Sequence, residues 1–173
     1  MKSSSSLSES FEEKSVPTNW HTKNAGELQI STCHFKDGRQ SLEWKWGIGG
    51  ILVCDGLSLS VPEYPQAGIS GWIYNENPVD DKLIFCLGSD EDLETGNPRY
   101  IFRFGLNYSG WRMFQVQFEA DAKAENLGGT IEKMEIIPPV SKKSGCIYLS
   151  FHRICLPNAA LIIRYLNLSL IHI

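Results

Sequence analysis

Apolar and polar residues alternate with a period of two through most of this chain, in short runs separated by glycine, proline, asparagine and aspartate. The strongest run is YIFRFGLNYSGWRMFQVQF, from Tyr100 to Phe118. Tyr100, Phe102, Phe104 and Leu106 share one face of a first strand, Phe114, Val116 and Phe118 one face of a second, and Asn107 to Gly110 form a turn. The pattern predicts a β-hairpin with one aromatic side, its other side holding Arg103, Arg112, Gln115 and Gln117. Such an aromatic side requires a second layer to cover it.

Other segments repeat the alternation. Gly26 to Thr32 places Leu28 and Ile30 together, and HFKDGRQ, His34 to Gln40, makes a glycine-centred turn. In QSLEWKW, Leu42, Trp44 and Trp46 share one face, with Ser41, Glu43 and Lys45 opposite. Gly49 to Cys54 and Leu57 to Val61 read as short strands around the Asp55-Gly56 turn, and PEYPQAG as a surface loop. Ile69 to Tyr74 aligns Trp72 with Tyr74, and Lys82 to Leu87 aligns Leu83, Phe85 and Leu87. Trp44, Trp46 and Trp72 are expected in the core, whereas Trp20 and Trp111 are left open. Ser89 to Pro98 is an acidic loop without the spacing of an EF-hand. Thr130 to Ile137, closed by Pro138-Pro139, and Gly145 to Leu149 complete about nine or ten short strands, with no convincing amphipathic helix. The prediction is an all-β chain, a two-sheet β-sandwich of Greek-key or jelly-roll wiring.

Length and composition narrow this to one domain. The chain has 173 residues, 42% of them hydrophobic, with 15 Gly and 8 Pro. Residues 1–9 read as a Ser-rich disordered lead-in, 10–150 as the sandwich, and 151–173 as a separate tail. A formal charge of −4 disfavours nucleic acid as a partner. The groups Lys36, Arg39, Lys45 and Arg99, Arg103, Arg112 read either as local basic patches or as solvated strand faces. Neither a run of about twenty apolar residues, as a membrane span needs, nor a signal-peptide pattern is present. Five cysteines, without a C-x-x-C pair, read as buried free thiols.

The run QSLEWKW, the segment GWIYNENPVDDKLIFCLG, the hairpin FRFGLNYSGWRMFQVQF and the pair GGTIEKMEIIPPVSKKSGCIYL together resemble the N-terminal domain of the bacterial chondroitin sulfate ABC lyases, in polysaccharide lyase family 8. The likeness runs in order from Phe11 to Leu149. It implies a jelly-roll β-sandwich like a carbohydrate-binding module with a galactose-binding-like fold, placed ahead of a catalytic domain in a secreted or periplasmic enzyme. The family cleaves chondroitin and dermatan sulfate by β-elimination at the uronic acid. After Leu149 the sequence departs from the family pattern. A shifted reading frame near Ser150 is expected, since LSLIHI, Leu168 to Ile173, is what a common sequencing adapter encodes in one frame.

β-Elimination needs a base for the proton alpha to the carboxylate, a group that neutralises that carboxylate, and an acid for the leaving oxygen. His21, His34, His152 and His172 are scattered and show no spacing for a base or metal site. The resemblance places the catalytic residues in later domains, so the expected function is a noncatalytic accessory domain, assisting polysaccharide binding or packing against the missing catalytic domain. A stand-alone carbohydrate-binding or adhesive module is the alternative. Arg103 and Arg112 are the candidates for contacting sulfate. The resemblance also implies a structural calcium ion held by Glu12 and the turn at Asp37, with Ser150 where the family has an aspartate.

Overall fold

The structure, a computed structural model, describes residues 11–36, 38–60, 68–117, 123–124 and 129–155, with the side chains of 59–60, 123–124 and 151–155 excepted. The readings made for residues 1–9, Asp37, most of the PEYPQAG loop, Phe118, the His152 side chain and the tail from 156 fall outside the described residues.

Two antiparallel sheets face each other. Within the six-stranded sheet lie β1 (Trp20–Lys23), β4 (Ile51–Cys54), β12 (Lys133–Ile137), β7 (Lys82–Gly88), β8 (Tyr100–Gly105) and β10 (Lys123–Ala124), in that spatial order. The five-stranded sheet is ordered β2 (Gly26–Ser31), β3 (Ser41–Trp46), β13 (Gly145–Cys155), β6 (Gly68–Asn75) and β9 (Gly110–Gln117). A small ribbon pairs β5 (Leu59–Ser60) with β11 (Thr130–Ile131). This is the expected β-sandwich, and consecutive strands repeatedly change sheet, as jelly-roll wiring requires.

The core is the sum of the inward positions. Leu42, Trp44, Trp46, Ile69, Ile73, Phe114, Ile147 and Leu149 come from the five-stranded sheet, and Trp20, Leu52, Leu83, Phe85, Leu87, Tyr100, Phe102, Met134 and Ile136 from the other, all buried. Phe85 stacks on Phe102 at 4.3 Å and meets Phe114 of the opposite sheet at 5.4 Å. Gly71, opposite Phe114 in register, leaves room for that ring, since a Cβ there would stand 3.0 Å from it.

Two sequence readings are corrected. The segment from Tyr100 to Phe118 is not a hairpin: β8 pairs with β7 and β10, β9 with β6, and residues 106–109 cross from one sheet to the other. An arch buries the same alternating residues as a hairpin, but makes the aromatic sides face each other, which is how Phe102 comes within 6.0 Å of Phe114. The crossing is fixed by buried Leu106 and Tyr108 and by Asn75, whose Nδ2 donates to the carbonyls of Leu106 (2.8 Å) and Tyr108 (2.9 Å). Secondly, the acidic loop contains a helical turn, α1 (Asp90–Glu94). Ser89 accepts from the Asp92 amide while the Asp92 carboxylate accepts from the Ser89 amide, a capping box that local acidic composition concealed.

Candidate functional site

The outer side of the five-stranded sheet carries the most distinctive arrangement of side chains. Register places Gln29 opposite Glu43, Glu43 opposite Tyr148, Tyr148 opposite Tyr74, and Tyr74 opposite Trp111. One row thus crosses all five strands, polar at one end and aromatic at the other. At about 4.8 Å between strands it is roughly 19 Å long. Tyr74 meets Trp111 edge-on at 5.5 Å and Tyr148 at 5.8 Å. Trp72, two residues along β6, belongs to the same side and is only partly buried. Trp44 and Trp46 lie in the core as expected. Trp72 does not, because its parity along β6 is that of Tyr74 and opposite to that of Ile69 and Ile73.

Glu43 anchors the polar end. It is 6% exposed although it points away from the core, and its carboxylate accepts from Gln29 Nε2, Tyr148 Oη (3.3 Å) and Cys146 Sγ (3.5 Å) and pairs with Lys45 Nζ at 3.1 Å. Burial alone would raise its pKa, but the hydrogen bonds from Gln29 and Lys45 and the Lys45 charge outweigh that and hold it below the ordinary glutamate value. Burial and the neighbouring Glu43 charge push the Cys146 thiol up to about 11. Burial first, then Cys146 and Glu43, also raise the pKa of Tyr148. A tyrosine tuned in this direction, with its hydroxyl donating to a carboxylate, is held as a neutral donor and not prepared to take a proton.

The loop after β2 folds over the aromatic end. Cys33 N donates to Ser31 Oγ at 3.2 Å and Ser41 Oγ donates to the His34 carbonyl. The His34 ring then lies flat on Tyr74, 3.9 Å away with 17° between planes, and meets Tyr148 edge-on at 4.6 Å. Lys36 Nζ stands 4.4 Å from the centre of the Trp72 ring. The serines beneath are small and buried: Ser31 pairs with Ser41, and the pairing of Leu149 with Leu42 brings Ser150 beside Ser41.

The sequence-predicted sulfate residues lie apart from this row. Arg103 is exposed on the outer side of β8, in the six-stranded sheet, where it lines a shallow depression with Asp80, Asp81, Lys82, Gly105 and Asn107. Arg112 has the parity of Phe114 and Val116, so it does not share the side of Gln115 and Gln117 as expected. It ends the inward side of β9, its guanidinium 4.2 Å over the Tyr108 ring and Nη1 donating to Asn107 Oδ1 at 3.4 Å. Trp20 is buried against Phe11 in the core, and Trp111 is partly buried on the outer row.

Of the calcium candidates, Glu12 is described and Asp37 is not. Glu12 Oε1 accepts from the backbone amides of Arg39 (2.8 Å) and Gln40 (3.2 Å). The Gln40 side-chain amide, turned so that both its groups are served, donates to the carbonyls of Phe11 (3.1 Å) and Glu13 (3.0 Å). These oxygens, of the kind calcium uses, already face N–H donors. Among the described residues no three His, Cys, Asp or Glu side chains converge as a metal set. Among the described residues the thiols divide: Cys54 and Cys86 are buried and outside any disulfide, as expected, whereas Cys33 is exposed and Cys146 only partly covered. His21 pairs with Asp55 at 3.2 Å on the surface of the six-stranded sheet, not on the sheet that carries the row.

The comparisons with known proteins agree with this architecture. Chondroitin sulfate ABC exolyase of Bacteroides thetaiotaomicron is 34% identical over 140 residues, 77% of this chain and 13% of the relative. Chondroitin sulfate ABC endolyase of Proteus vulgaris is 32% identical over 94 residues, 49% of this chain and 9% of the relative. The chain therefore spans only a small part of the length of these enzymes. Among solved structures, the family 11 carbohydrate-binding module of Clostridium thermocellum, in complex with a β-1,3-1,4-mixed-linked tetrasaccharide, superposes with a TM-score of 0.55 at 12% identity, covering 88% of this chain and 96% of that one. That likeness is one of fold. The family described as "Lyase, N terminal" matches residues 5–161, and the chain belongs to it.

Proposed function

We propose that this chain is a noncatalytic accessory domain of a polysaccharide lyase of the chondroitin and dermatan sulfate class, in an exported enzyme, and that it holds the polysaccharide on the outer side of its five-stranded sheet. The observation that carries this reading is the row of Tyr148, Tyr74 and Trp111 beside Glu43. Aromatic faces stack on pyranose rings and the polar end supplies fixed hydrogen-bonding groups, the combination a carbohydrate site uses. The neutral, donating Tyr148 and the stacked His34 support holding over proton transfer. Arg103 is the poorer candidate for sulfate because Asp80 and Asp81 share its depression.

Affinity electrophoresis in gels containing chondroitin sulfate tests the reading. Retardation of the chain, lost in Trp111→Ala, supports it; unretarded migration removes it. Production of unsaturated uronate by the purified chain would remove the noncatalytic part. Exposed Ile48 (74%) and Val140 (88%), in the loops where β3 ends and before β13 begins, favour a second role in packing against the rest of such an enzyme. A calcium ion bound by Glu12 and Asp37, as the resemblance implies, would have to replace N–H donors at that corner. Heat on calorimetric titration with a rise in Tm would support it, and silence in both would remove it.

A further inference from the structure

The aromatic end of the row is not bare. Two side chains from one short loop lie on two of its rings, each in the geometry an outside ligand would use. His34 is parallel to Tyr74 at 3.9 Å and so covers the flat surface on which a pyranose would stack. Lys36 places an ammonium over Trp72 at 4.4 Å, a cation held on the face of an aromatic ring. Yet the loop is held lightly. Its described anchors are one hydrogen bond from Cys33 N to Ser31, one from Ser41 to the His34 carbonyl, and the hold of Glu12 on the amides of Arg39 and Gln40. Phe35, between the two covering residues, is 47% exposed and is not a core anchor. Nothing in the burial of this loop resembles that of the crossing at Leu106 and Tyr108.

We infer that Tyr74 and Trp72 form a subsite for an anionic pyranose polymer, that His34 and Lys36 occupy it in the free domain, and that ligand binding is an exchange. The polymer's ring takes the place of His34 on Tyr74, and Lys36 leaves Trp72 to pair with a carboxylate or sulfate of the same polymer. This rests on the proposed function and goes beyond it by naming where the ring stacks and which residue selects for negative charge. The exchange explains why two rings on an outer strand face are only partly exposed: they are covered by groups that leave. Because only the uncovered fraction is competent to bind, the loop lowers the apparent affinity by that fraction. The attraction to Lys36, being exposed, weakens with salt.

Nuclear magnetic resonance of the full chain, titrated with chondroitin sulfate hexasaccharide, tests this. The His34 ring protons should start upfield, under the Tyr74 ring, and move downfield in step with saturation. Oligosaccharide binding that shifts other resonances while His34 stays in place would overturn the exchange and leave the functional reading standing. Absence of any shift across the spectrum would remove both. Affinities of two variants give a second, independent readout. His34→Ala should bind about threefold more tightly, because its competitor is gone, and Lys36→Met about threefold more weakly with a flatter salt dependence. Weaker binding by His34→Ala, with its fold intact by circular dichroism, would overturn the exchange.

Discussion

On the outer side of the five-stranded sheet a row runs Gln29, Glu43, Tyr148, Tyr74, Trp111; on the outer side of the six-stranded sheet the corresponding row runs His21, Val53, Glu135, Cys86, Ile101. Each has one glutamate near its middle, and the two glutamates are treated differently. Glu43 is surrounded by three donors and a lysine, which keep it ionised beneath rings. Glu135 reaches across to Lys23 at 3.5 Å, and burial, aided by the Glu135 charge, pushes the Cys86 thiol up to about 11. The first row joins three aromatic rings to hydrogen-bonding groups; the second holds Val53, Cys86 and Ile101 beside ion-paired Glu135 and His21. Sandwich geometry gives both sheets an outer side, so the difference lies in the residues, and it is why the proposed polysaccharide site is put on the five-stranded side.

The two sides share one core, and the largest effect should come from breaking it. Phe85 belongs to the six-stranded sheet but contacts Phe114 of the other. Phe85→Ala should cost about 3–5 kcal/mol in urea unfolding. Polysaccharide retention should fall with it, although the proposed site lies on the opposite sheet. A loss below about 1 kcal/mol would mean that the sheets are less coupled than the stack of Phe85, Phe102 and Phe114 implies.

Next in size is the contrast between the rows themselves. Trp111→Ala should weaken binding to chondroitin sulfate oligosaccharide about tenfold, close to 1.4 kcal/mol, in calorimetric titration. Ile101→Ala and Arg103→Ala, on the other outer side, should leave affinity unchanged. Arg112→Ala should also leave affinity unchanged while lowering stability by about 0.5–1 kcal/mol, the value of an exposed cation over a ring. Equal losses from Trp111→Ala and Arg103→Ala would erase the distinction between the two sides.

Why was the fold readable in the sequence and the site only half so? Alternation reports which residues face inward, and it places Leu42, Trp44, Leu83, Phe85, Phe102 and Phe114 in the core, where they lie, because burial on one side of a strand is a local property. Partner choice is not local. Phe102 and Phe114 carry the same pattern in a hairpin as in an arch, and the crossing is fixed by buried Leu106 and Tyr108 together with Asn75, which is distant in sequence. Alternation puts Trp72 and Tyr74 on one side, but aromatic character alone does not say that this side faces outward. Reading Ile69, Gly71 and Ile73 as the inward set would have sent it outward. Arg112 was misplaced by the same parity, two residues before Phe114. Glu43 and His34 carried no signal, since their roles depend on Tyr148 and Tyr74 from strands more than thirty positions away. The strand β1 gives no signal because WHTK holds Trp20 as its one strongly apolar residue, whereas β4, equally short, is apolar throughout.

A pH experiment sharpens the contrast between the glutamates. The folded Glu43 carboxyl lies below its ordinary value of 4.5, so the unfolded chain takes up the proton first on acidification. Its contribution is therefore complete above about 4.5 and is lost as the pH falls through the folded value. Glu43→Gln should cost about 1 kcal/mol at neutral pH and flatten the fall of Tm below pH 4.5. A variant with the same acid slope as the wild type would show that the Gln29, Lys45 and Tyr148 contacts do not hold the charge.

The smallest effect belongs to the ion pair of the other sheet. Lys23 is half exposed at the edge strand β1, and its partner Glu135 is mostly covered, lying opposite Val53 and Cys86 in register. An exposed lysine contributes little when paired, typically below about 1 kcal/mol, because water and salt compete for it. Lys23→Ala should therefore lower stability by about 0.5 kcal/mol, a difference that disappears in 1 M salt as screening removes the attraction. Polysaccharide affinity should not move, because the pair lies on the side that the aromatic row does not share. If affinity fell with Lys23→Ala, negative charge on the ligand would be read from both sheets, and the five-stranded side would lose its claim to be the whole site.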